Sequence, residues 1–287
     1  KRGQLMIAGE TEVGKSLLAL EISASVLTGA PLWGALAVSE RLTRVLYILG
    51  EHDVDTLRGL WATTGLTVPA NMLAVIGPDT FSAHHVIADG APHSETIQRI
   101  RGWIQGAGLV VFDPLAAFIR GAGAENDNTQ MRLLVDTLTH TARDEGAACL
   151  ILSHLGKPMM IAGKPVPRGR YATRGASATE DAATSLFYLE HTEGPHRDAA
   201  VFRLKKRKYK GDAPDYYYLV RDPATLRHTL LTGPRPHVEA RRTVFRERLK
   251  RLRAHQPTSG PTECIDLLAA IDGISRRTAF RYIDADD

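Results

Sequence analysis

The segment Gly9-Glu10-Thr11-Glu12-Val13-Gly14-Lys15-Ser16 restricts the fold of this chain more than any other stretch. It fits the pattern G-x-x-x-x-G-K-[ST] without a mismatch, and its surroundings fit as well. The apolar run Leu5–Ala8 precedes it, and Lys15–Val26 follows with Leu17, Leu18, Leu20, Ile22 and Val26 at helical spacing. A strand, a tight turn and a helix are expected in that order. Glycines let such a turn wrap an anion with its N–H groups inward, and the helix N-terminus adds positive potential. The residues expected to hold a nucleotide are Gly9, Glu10, Thr11, Glu12, Val13, Gly14, Lys15, Ser16 and Leu17. In such a loop the lysine reaches the β- and γ-phosphates and the hydroxyl ligates magnesium, roles that fall to Lys15 and Ser16. ATP and Mg2+ are the expected cofactors.

Short apolar runs without polar alternation recur at Gln4–Ala8, Arg44–Leu49, Leu109–Phe112 and Ala147–Leu152. Strands covered by helices on both faces read this way. A second helical pattern, Asn128–Asp144, carries Met131, Leu134, Val135 and Leu138. The fold class expected is α/β, a doubly wound, mostly parallel sheet with flanking helices. Runs at Thr184–Leu189, Ala199–Leu204, Asp215–Val220 and His228–Leu231 read as hairpin strands extending one side of it. Gly121–Asn128 and Gly156–Arg174 read as loops, the second long enough to be functional. Thr232-Gly233-Pro234-Arg235-Pro236 reads as a linker. It separates an ATPase domain over 1–232 from a basic helical region over 233–287.

Three further strand ends carry groups suited to phosphoryl transfer. Leu109–Asp113 is an apolar strand closed by a carboxylate, which can hold magnesium beside the glycine turn. Tyr47-Ile48-Leu49-Gly50-Glu51-His52-Asp53 is another. Hydrolysis needs a base that orients and deprotonates water, and Glu51 is expected to supply it. Asp53 is the alternative base, with capping of the following helix as its competing role. His52 is expected to line the site. Leu150–His154 ends in a polar pair, where His154 can sense the γ-phosphate and pass its presence to the loop that follows.

The formal net charge is only +4, but the bases cluster. Residues 203–210 hold six bases and no acid, and residues 240–253 hold seven bases against Glu247. Such clusters suit a polyanion. Cys149 and Cys264 lie far apart and make neither a disulfide framework nor a metal site, so a reducing cytoplasm is expected. No apolar run approaches the length of a membrane span, and no signal peptide is visible. The histidines show no ligand spacing beyond His84-His85, which argues against a metalloenzyme of the His/Cys type.

With these strand ends in hand, Gly3–Val220 resembles the RecA-like core of hexameric helicases. The nearest likeness is to the plasmid RepA type, with the DnaB and KaiC types more distant. The resemblance rests on Gly9–Ser16, Tyr47–Glu51, Leu109–Asp113, Leu150–His154, Ala172–Ser177 and Lys205–Gly211. It implies that Glu51 is the catalytic glutamate and His154 the nucleotide sensor. It also implies a finger that reaches the neighbouring subunit's ATP, for which Lys206, Arg207 and Lys208 are the candidates, Arg207 first. A homo-oligomeric ring, hexameric in that family's manner, single-stranded DNA and other replication or recombination proteins are the implied partners. Arg168, Arg170 and Arg174, in the loop before Gly175, are candidates for contact with DNA. This chain departs from the family in placing six bases where two or three would serve.

Beyond this resemblance, Thr262–Ile271 and Ser275–Asp284 look like a helix-turn-helix. Ser275 is the expected N-cap, Ile274, Ala279 and Ile283 point inward, and Arg276, Arg277 and Arg281 are exposed for DNA. Two functions remain open on the sequence. One is a DNA helicase or translocase, and the other is an ATP-switched DNA-binding regulator that unwinds nothing.

Overall fold

The computed structural model describes residues 3–51, 53–69, 72–78, 85–120, 124, 127–155, 160–161, 164–165, 176–191, 201–209, 214–232, 236–255, 260–271 and 274–283. Its principal strands are β1 (Gln4–Gly9), β2 (Val45–Leu49), β3 (Leu73–Ile76), β4 (Leu109–Asp113) and β5 (Ala148–His154). They continue with β6 (Leu186–His191), β7 (Val201–Lys208), β8 (Tyr216–Arg221) and β9 (His228–Leu231). The helices are α1 (Lys15–Thr28), α2 (Val54–Thr64), α3 (Ser94–Ile104), α4 (Asn128–Asp144), α5 (Ala176–Ala182), α6 (Pro236–His255), α7 (Pro261–Ile271) and α8 (Arg276–Ile283).

Among the described residues the strands form a nine-stranded sheet in the order β9-β8-β7-β6-β1-β5-β4-β2-β3. From β6 to β3 every pairing is parallel, and from β6 through β9 every pairing is antiparallel. The architecture is the expected doubly wound sheet. One detail differs, since β6 joins β1 as a parallel neighbour and only β7–β9 form hairpin-like partners. A parallel partner requires a crossover, and the long connection from β5 that ends in α5 provides it.

Burial explains the unbroken apolar runs. β2 and β4 are buried along their whole length because α1 and α2 cover one face of the sheet, while α3 and α4 cover the other. Ile7, Tyr47, Leu49, Val111 and Leu152 pack toward α1, and Met6, Ile48, Phe112 and Ile151 pack toward α4. Each fully buried aliphatic chain contributes about 1.5–3 kcal/mol. The edge strand β3 is only half-buried, and no sequence reading above anticipated it or α3.

Helices α6–α8 share a separate cluster of Phe245, Leu249, Cys264, Ile265, Leu268, Ala269 and Ala279. Arg246 ties them further by donating to the carbonyls of Tyr282 (2.7 Å) and Ile283 (3.2 Å) at the end of α8. The Ser275 hydroxyl accepts from Thr278 N at 3.1 Å, the capping bond expected at the start of α8. Among the described residues no helix is long and apolar enough to cross a membrane.

Candidate active site

Parallel pairing brings the carboxyl ends of the central strands level. Gly9 at the end of β1 is opposite His154 at the end of β5, and Leu49 on β2 is opposite Asp113 on β4. Ligands of open α/β sheets sit at this edge. Between β1 and α1 the turn takes left-handed backbone at Glu12 (φ 62°) and Gly14 (φ 104°). Gly14 is the N-cap of α1 and has no side-chain capping bond, so the first-turn N–H groups remain for a ligand.

Lys15 is 5% exposed and folds back over this turn. Its ammonium donates to the carbonyls of Gly9 (3.1 Å) and Glu10 (2.7 Å) and lies 3.3 Å from His154 Nδ1. Burial lowers its pKa from 10.5 to about 8, against the opposing pull of Asp113, Glu51 and Glu10. His154 Nε2 in turn lies 3.6 Å from Glu51 Oε2. Lysine from the start of α1, histidine from the end of β5 and glutamate from just past β2 thus form one polar row. The Glu51 side chain is 47% exposed, so water reaches it.

A glycine makes this position of Glu51 possible. A Cβ on Gly50 would fall 2.2 Å from the Cβ of Ala117, so only glycine lets the chain leave β2 there. Gly50 N also donates to Asp113 O at 2.8 Å, which locks the two strand ends together. Asp53 has a different task, accepting from Thr56 N at 2.6 Å as the N-cap of α2.

Asp113 is buried, and its Oδ2 accepts from the Tyr47 hydroxyl at 2.7 Å. Ser16 hydrogen-bonds the same phenol. Burial first, then the Asp113 charge, pushes the Tyr47 pKa well up, so the phenol stays protonated. Serine hydroxyl, phenol and carboxylate are hard oxygen groups beside the glycine turn, a donor set that fits magnesium. Tyr47 was legible in the sequence only as a strand residue. Among the described residues no group of three or more His, Cys, Asp or Glu is placed to hold a metal.

The structure does not bring the basic segment of β7 into this row. β7 is separated from β1 by β6. Arg207 is the extra residue of a bulge opposite Leu186 and Phe187, and its guanidinium stacks over Tyr188 at 5.5 Å. Tyr188 bonds Glu180 and faces away from α1. Lys206 pairs with Asp215 (3.2 Å), and Lys208 donates to Asp181 O (2.8 Å). Arg277 and Arg281 are exposed on α8, and Arg276 there is paired with Asp266 at 2.8 Å. Arg168, Arg170, Arg174 and His52 lie outside the described residues. A residue absent from the sequence reading does reach the site: Arg221 of β8, whose Nη1 lies beside Gly14.

A glycine turn capping a buried helix, with acids at neighbouring strand tips, defines a P-loop ATPase of RecA-like fold. The chain belongs to the AAA domain family, whose model matches residues 1–160. Among solved structures, a protein described as an ATPase domain superposes with a TM-score of 0.57 at 15% identity. The match covers 80% of this chain and 85% of that one. A KaiC-like protein from the hyperthermophilic archaeon Pyrococcus horikoshii superposes with a TM-score of 0.50 at 13% identity, covering 80% and 89%. No curated protein matches the sequence.

Proposed function

We propose that the chain is a DNA-dependent ATPase, a helicase or translocase of replication or recombination that works as a hexameric ring. The observation that carries this reading is the row Lys15–His154–Glu51 beside the Ser16–Tyr47–Asp113 group, all at one edge of the sheet. Gly9–Leu17 would cradle the phosphates, with Lys15 on the β- and γ-groups. Ser16 and Asp113 would hold Mg2+, which when bound neutralises charge on the phosphates. Glu51, exposed to water yet fixed by Gly50, would orient and deprotonate the attacking water. His154 touches both Lys15 and Glu51, so a change at the γ-phosphate would pass through it to the connection after β5.

The ring is supported by where the bases of β7 sit among the described residues, apart from the row at Lys15. Transfer of a phosphoryl group gains about 10³-fold or more from an arginine aimed at the developing charge. Arg207, with Lys206 and Lys208, sits on β7 away from its own site and would supply this to a neighbour. Arg168, Arg170 and Arg174 would line the DNA path, with phosphate contacts dominating because aromatics are only 6% of the chain.

A second reading, an ATP-switched DNA-binding regulator, is favoured by α8. It is capped by Ser275 and presents Arg276, Arg277 and Arg281 on a helical unit (233–287) with its own apolar cluster. ATP turnover with and without single-stranded DNA, with mass by light scattering, separates the two. Stimulated turnover in a ring and unwinding of a forked duplex support the motor. ATP binding without DNA stimulation or unwinding removes it.

A further inference from the structure

Arg221 and Gly14 are 207 residues apart in sequence, yet they meet at the N-terminus of α1. A Cβ built on Gly14 would lie 3.3 Å from Arg221 Nη1. The guanidinium is held there by the Phe202 ring, 4.5 Å beneath it on the adjacent strand β7. Phe202 is itself fully buried and makes an edge contact with His228 at 5.4 Å. His228 and Trp33 both bind Glu21 of α1, at 2.9 and 3.0 Å. Stacking and the packing behind it fix where the fork of donors points.

Positive potential gathers at this turn, which suits an anion. The N-terminus of a helix carries about half a positive charge, and a cation beside it is repelled. Lys15 already brings one charge to this point, and Arg221 brings another that an arginine cannot shed. Burial lowers the Arg221 pKa, and the field of Glu21, more than a turn further along α1, opposes this. Three positive features therefore converge at the glycine turn, and Lys15 is the one shared with the row of catalytic candidates.

We infer that Arg221 is a nucleotide-binding residue acting in cis, its guanidinium gripping the α- and β-phosphates of the nucleotide held by the glycine turn. The inference rests on the P-loop reading of Gly9–Ser16 and extends it to a strand that no motif marks. A contact to the α- and β-phosphates is shared by ADP and ATP, so Arg221 sets affinity for both, whereas the γ-phosphate belongs to Lys15, Glu51 and any finger in trans. Charge-assisted bonds of this kind contribute about tenfold or more in affinity.

The test uses the full chain with MgADP, MgATP and MgCDP as probes. Arg221→Met keeps an apolar stem over Phe202 and removes the charge. Arg221→Gln is the second variant, and the one that keeps the wild-type melting temperature is scored. The expected result is an equal loss of about tenfold for ADP and ATP, an unchanged ratio of ADP to CDP affinity, and a raised KM with kcat intact. Unchanged ADP affinity overturns the inference, as does a loss confined to ATP. A change in the ADP to CDP ratio also overturns it, because it would place the guanidinium on the base. Lys15→Ala keeps the readings distinguishable. If it abolishes binding while the Arg221 variants bind normally, the P-loop reading stands and only this inference falls.

Discussion

Raising the pH should weaken nucleotide binding in a way that reports Lys15 directly. Its ammonium is buried among Gly9 O, Glu10 O and His154, with Asp113, Glu51 and Glu10 facing it, and its pKa falls from 10.5 to about 8. That gap corresponds to about 3 kcal/mol of destabilisation of the charged form. Because the value is lowered, the folded protein releases this proton before the unfolded chain does. The cost of burying the charge is complete below about pH 8 and disappears as pH rises from about 8 to 10.5. A polyphosphate beside Lys15 restores the charged form, so binding and protonation are linked. Affinity for MgADP is then nearly constant below pH 7 and about tenfold weaker at pH 9. At pH 8 binding takes up about half a proton. Calorimetry in two buffers of different ionisation enthalpy measures that uptake. A flat affinity from pH 7 to 9 with no proton uptake would refute the placement of Lys15 against the phosphates.

Two substitutions test the neighbouring strand end. Glu51→Gln should bind MgATP as the wild type does and turn it over at least about a hundredfold more slowly, measured by phosphate release. Near-normal turnover would move the base elsewhere, at the cost of explaining why Asp53 is occupied as a helix cap. Gly50→Ala would place a methyl 2.2 Å from Ala117 Cβ. It should cost about 1–3 kcal/mol in denaturant unfolding and reduce turnover with it; a midpoint equal to the wild type would contradict the close approach.

Much of the candidate site was legible because phosphate chemistry places fixed residue types at strand ends. Gly9–Ser16, Glu51, Asp113 and His154 could each be found by reading where an apolar run stops, and parallel register then set those ends side by side. Helix α4 was legible to the residue because its apolar face recurs at helical spacing, and the fold class followed from unbroken apolar strands. Strand β3 was not, since a half-buried edge of four residues carries little pattern. The Tyr47 hydroxyl was hidden for another reason: a tyrosine inside a buried strand reads as core, and only pairing with Asp113 gives its oxygen a partner. Arg221 was the least legible. It meets Gly14 through the order of β8, β7, β6 and β1 in the sheet, which the sequence encodes only in aggregate.

Titration of MgATP into the wild-type chain and into Lys15→Ala, followed by calorimetry under identical conditions, addresses the account at its root. It predicts saturable binding of one nucleotide per chain in the first and no detectable binding in the second. Equal affinity in both proteins, or no binding by the wild type, would contradict it.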